Sequence, residues 1–238
     1  MQFLRRLFMS KVSRLKEDRN SDGLFQLVAF VSLGGTESIP QSKEALLALV
    51  ELGHIRAHIA NLLIALITDK QSKGVCDAAA QLGGLNDATA EEKTLIAGFL
   101  AFTYCIYAVL KDEDHVAIRT ACANSLRQLP ASARQSIVSN LLGCWIDAGG
   151  ILSGSGVHKM KVELLGEIAR GPEVIARLRS LLEDPYAGWS NRAAAARALG
   201  KVGGQEALTV LENNRGVFDS WVREDVVEAI KHIKGTEI

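Results

Sequence analysis

Apolar positions recur along this chain at three- and four-residue intervals, the pattern of a helix with one face turned to a core. In "PEVIARLRSLLED", residues 172 to 184, Val174, Ile175, Leu178, Leu181 and Leu182 make one stripe. Pro172 there suits a first helical turn, where its missing N–H costs nothing. Comparable helical segments are predicted over 22–34, 56–69, 91–112, 133–147 and 204–213. No stretch alternates with period two in the manner of a strand, and four prolines in the whole chain leave the helices largely uninterrupted.

Between these segments lies a second set whose members resemble one another. "WSNRAAAARALGKVGG" (189–204) aligns with "QSKEALLALVELGH" (41–54), "GVCDAAAQLGGL" (74–85), "VAIRTACANSLRQL" (116–129), "HKMKVELLGEIARG" (158–171) and "WVREDVVEAIKHIKG" (221–235). All six align on one apolar anchor, namely Leu49, Leu82, Leu126, Leu165, Leu199 and Ile230, at successive spacings of 33, 44, 39, 34 and 31 residues. Such spacings belong to helical-pair repeats. One pair cannot bury both its faces, so neighbouring pairs must stack. The expected fold is therefore all-α, a right-handed α-solenoid of about six HEAT-like helix pairs. A single domain over 1–238 is expected, with pairs at 22–54, 56–85, 91–129, 133–171, 172–203 and 204–235 and a capping helix or leader at 1–21. In the stack each second helix is pressed between neighbours. Ala193 to Ala196 shorten the side chains there, Leu199 and Val202 fill the seam, and Gly203-Gly204 ends the helix.

"NRAAAARALGKVGGQEALTVLENN", followed by "WVREDVVEAIKHIKG", resembles HEAT-like repeats of the phycobilisome-lyase type. Their pattern runs Val-Arg, two residues, Ala-Ala, one residue, Ala-Leu-Gly, then Gly-Asp and a new helix. Ser42, Val75 and His158 stand where that pattern has its arginine. The resemblance implies a protein-interaction scaffold, with attachment or detachment of bilin chromophores as the activity of a minority of such families. It lies in packing residues and carries over no catalytic residue.

Arg119, Arg192 and Arg223 each fall seven residues before an anchor and follow an acidic turn: Asp112 and Asp114, Asp184, and Asp219. A guanidinium so placed can bridge those carboxylates or the carbonyls at the preceding helix end, giving a ladder that holds the repeats in register. The other reading is a row of anion-binding arginines.

"TLIAGFLAFTYCIYAVL", residues 94–110, runs seventeen residues without a charge and is apolar nearly all round. It is short for a membrane span and contains Gly98, Thr103 and Tyr104. It is expected to be a core helix, with self-association through its outer face as the alternative. His54 and His58 have the four-residue spacing of a metal pair but no acidic or cysteine third ligand nearby. "CWIDAGGILSGSGVHKM" (144–160) lacks the Gly-Lys-Ser/Thr of a phosphate loop and is read as an inter-helix loop whose Trp145 and His158 merit testing for contacts. No catalytic, cofactor or metal constellation is expected.

Composition narrows the partners. Lys plus Arg and Asp plus Glu are both 27, so no global field draws nucleic acid or an anionic membrane. Cys76, Cys105, Cys122 and Cys144 form no C-x-x-C pair and read as reduced core residues of a cytoplasmic protein. Residues 1–19 carry six basic and two acidic side chains beside Phe3, Leu4, Leu7 and Phe8. They are read as a cap over the first repeat, or else as an amphipathic anchor. The function expected is a non-catalytic scaffold binding a protein partner on its concave second-helix face. Candidate contacts, by position, are Glu44, Glu51, Asp77, Lys161, Glu167, Lys201, Glu224 and Glu228. A bilin-lyase-like chromophore handler is one alternative. A nucleic-acid binder of the helical-repeat glycosylase type is another, and it needs a basic face where Glu163, Glu167, Asp225 and their neighbours lie.

Overall fold

Why the second helices can lie close together is plain from their small residues. The glycine after each of three anchors faces the residue before the anchor of the next second helix. A Cβ on Gly83 would sit 2.7 Å from Ser125 Cβ, one on Gly166 2.6 Å from Ala198 Cα, and one on Gly200 2.9 Å from Ala229 Cβ. Real Cβ atoms do not approach so closely, so Leu-Gly is the mark of a helix whose neighbour's backbone occupies the space of a side chain.

The computed structural model describes residues 12–13, 15–29, 39–69, 71–107, 113–143, 156–216 and 220–236. Helices follow one another as α1 (Ser21–Ala29), α2 (Ile39–Glu51), α3 (Ala57–Thr68), α4 (Ser72–Gly83), α5 (Ala90–Ile106), α6 (Glu113–Gln128), α7 (Ala131–Gly143), α8 (Gly156–Ile168), α9 (Pro172–Glu183), α10 (Trp189–Val202), α11 (Gly204–Asn214) and α12 (Ser220–Thr236). No strand occurs among the described residues. The fold is an all-α solenoid of stacked helix pairs. The anchors are all buried: Leu49, Leu82, Leu126, Leu165 and Leu199 have no exposed surface and Ile230 retains 7%.

Contacts gather into two compact units, residues 1–133 and 134–238. In the first, α1 packs on α2, α3 on α4 and α5 on α6, while α4 and α6 lie directly against each other. Leu15 lies over Gly23 of α1, and Lys16 is ion-paired with Glu51 at the end of α2. Helix α5 holds residues 94–106 of the apolar segment singled out in the sequence, and residues 108–110 lie outside the described residues. Ile96, Ala97, Phe99, Leu100, Phe102 and Tyr104 are all buried, so the apolar surface that self-association would need is used inside the unit. Among the described residues the exposed large apolar side chains are Leu47, Val116, Tyr186, Trp189 and Trp221, none of them on α5. No helix among the described residues is long and apolar enough to cross a membrane.

The start of α5 is locked to α3. Thr89 caps the helix by accepting from Glu92 N at 3.1 Å, and Glu92 returns the bond from Thr89 N at 2.9 Å, a capping box. The same carboxylate, 1% exposed, receives Arg56 Nε at 3.1 Å and Nη2 at 3.0 Å, while Arg56 Nη1 reaches Asp87 at 2.5 Å. Burial pushes the Glu92 carboxyl up, but the Arg56 guanidinium and the Thr89 and Arg56 backbone N–H groups outweigh it and hold it below the usual carboxylate range.

In the second unit α8 packs on α10 and α10 on α12, with α9 and α11 behind them. Arg134 of α7 donates to Ile168 O, at the end of α8, at 2.9 Å. Ala193 to Ala196 are buried, as close packing of α10 requires. That helix stops at Val202 because Gly203 has φ 71° and ψ −171°, a conformation open in practice to glycine alone.

Candidate functional site

The second helices of the second unit present a row of charges assembled across three elements. Arg197 of α10 stands between α8 and α12, giving Nη2 to Glu163 Oε1 at 2.8 Å and Nη1 to Asp225 Oδ1 at 2.6 Å. One turn further on, Lys201 of α10 is paired with Glu167 of α8. Burial works against the Arg197 charge, and the Asp225 and Glu163 carboxylates more than offset it, so the guanidinium is held above its ordinary value. Both α8–α10 pairs join residues 34 apart, which is the spacing between the anchors Leu165 and Leu199. Opposite charges at the same repeat position therefore meet across the seam.

Of the residues expected to face a partner, the structure brings Glu167 and Lys201 together. Glu51 is engaged with Lys16, and Glu228 with Lys231 at 2.6 Å within α12. Asp77 and Glu224 are exposed, and Glu44 and Lys161 are half-buried. Among the residues expected to form an arginine ladder, Arg192 donates Nε to Leu182 O at 3.0 Å, at the end of the preceding helix. Arg119 is half-buried, with no hydrogen-bond partner for its Nε among the described residues, and Arg223 is exposed. Asp184 ends α9 and accepts from Tyr186 N at 2.8 Å. Asp219, Asp112, Trp145 and the side chain of His158 lie outside the described residues.

Arg197, with Glu163 and Asp225, is the cross-helix link that pattern reading passed over. Its signal was present: Glu163 and Arg197 share one offset from their anchors, and Glu167 and Lys201 share another. The aromatic pair Trp189 and Trp221 was passed over too. These rings stand in the first turns of α10 and α12 with centroids 6.5 Å apart, 64% and 70% exposed.

Other groups are accounted for by packing. His54 meets Phe25 edge-on at 6.2 Å, and His58 is exposed on α3. Cys122 is buried and burial pushes its thiol far up, while Cys76 and Cys105 are half-buried. An open depression beside α9 is lined by Ala176, Arg179, Ser180, Glu183 and Asp184.

Residues 157–231 match the family model of HEAT repeats. That stretch holds α9 to α11, nearly all of α8 and α12 as far as residue 231. None of the curated proteins matches the chain. Solved structures similar to it include an engineered protein (21% identity, covering 94% of this chain and 97% of that one, TM-score 0.33). Human deoxyhypusine hydroxylase in complex with glycerol is another (15% identity, 99% and 100% covered, TM-score 0.35). A third is a designed armadillo repeat protein (18% identity, 90% and 92% covered, TM-score 0.30). At such scores the fold stands on the helix packing described above and on the HEAT match.

Proposed function

We propose that the protein is a non-catalytic interaction scaffold that binds a protein partner on the face formed by its second helices. The observation that carries this reading is the row made by α8, α10 and α12. Their direct stacking sets polar side chains from three repeats side by side, a surface with a fixed spacing for a partner to read. Contacts are assigned to Lys161, Glu167, Lys201, Glu224 and Glu228 in the second unit and to Glu44, Glu51 and Asp77 in the first. The charges alternate in sign, as Glu163–Arg197–Asp225 does, so the face offers no basic track for nucleic acid. The reading is of a cofactor-free cytoplasmic protein.

Affinity capture from nuclease-treated host cytosol, with mass spectrometry and an absorption spectrum of the eluate, tests it. A stoichiometric, colourless protein partner is expected, lost when Lys201→Glu or Glu167→Lys reverses one charge of the row. A partner retained equally by both variants places binding elsewhere. A visible-absorbing eluate would instead support the bilin-lyase-like reading suggested by the sequence pattern.

A further inference from the structure

We draw no further inference here: the strongest candidate, the surface patch made by Trp189 and Trp221 in the first turns of α10 and α12, is an exposed aromatic pair and nothing in the structure shows what covers it.

Discussion

A single missing side chain does as much here as a present one. Gly166 accommodates the Ala198 backbone, so Gly166→Ala forces a Cβ to within 2.6 Å of Ala198 Cα and should destabilise the protein by about 1–3 kcal/mol. Gly98 of α5 has open space where its Cβ would be, and Gly98→Ala should leave stability unchanged or raise it by up to about 1 kcal/mol. Thermal or denaturant unfolding of the two variants checks the contrast, and equal effects would mean that α8 and α10 are not in close contact. Arg192→Ala removes the donor to Leu182 O and should cost about 1–3 kcal/mol. Unchanged stability with loss of partner binding would instead make Arg192 a contact residue. Glu92 supplies a pH dependence with a definite sign. Its carboxyl is held below its unfolded value, so its stabilisation is fully present above the ordinary carboxylate range and is lost as pH falls through the depressed folded value. Glu92→Gln should lower stability at neutral pH and flatten the acid limb of a stability-versus-pH curve.

At the level of helices, the link to measure is Arg197, which ties α10 to both α8 and α12. Arg197→Ala strands Glu163, whose side chain is 11% exposed, and should cost about 2 kcal/mol after allowance for solvent screening. A double-mutant cycle with Glu163→Gln should show coupling, and strict additivity would deny the contact. Much of the helical level was legible in sequence. The repeat anchors are buried, and the Leu-Gly and Ala-rich stretches mark the close seams. The capping box was written plainly as Thr89-x-x-Glu92, yet its tie to Arg56 was not visible, because the guanidinium comes from 36 residues earlier. The same holds for Glu163, Arg197 and Asp225. Periodicity reports which face of a helix is inward, and ion pairing between helices depends on register across a seam. The exposure of Trp189 and Trp221 was hidden for a related reason: an aromatic residue at a helix start reads as core until the neighbouring helix end is placed.

Each compact unit stacks second helices, α4 on α6 in the first and α8, α10 and α12 in the second, and the HEAT match covers most of the second unit. The reading as a scaffold rests on that repeated stacking, since a partner can engage several repeats through side chains held at fixed spacing. Hydrogen exchange of the purified protein, alone and in complex with its captured partner, tests this most directly. Exchange should slow along α8, α10 and α12, most around Glu167 and Lys201, with α9 and α11 unchanged. Protection confined to α9 and α11 would contradict it.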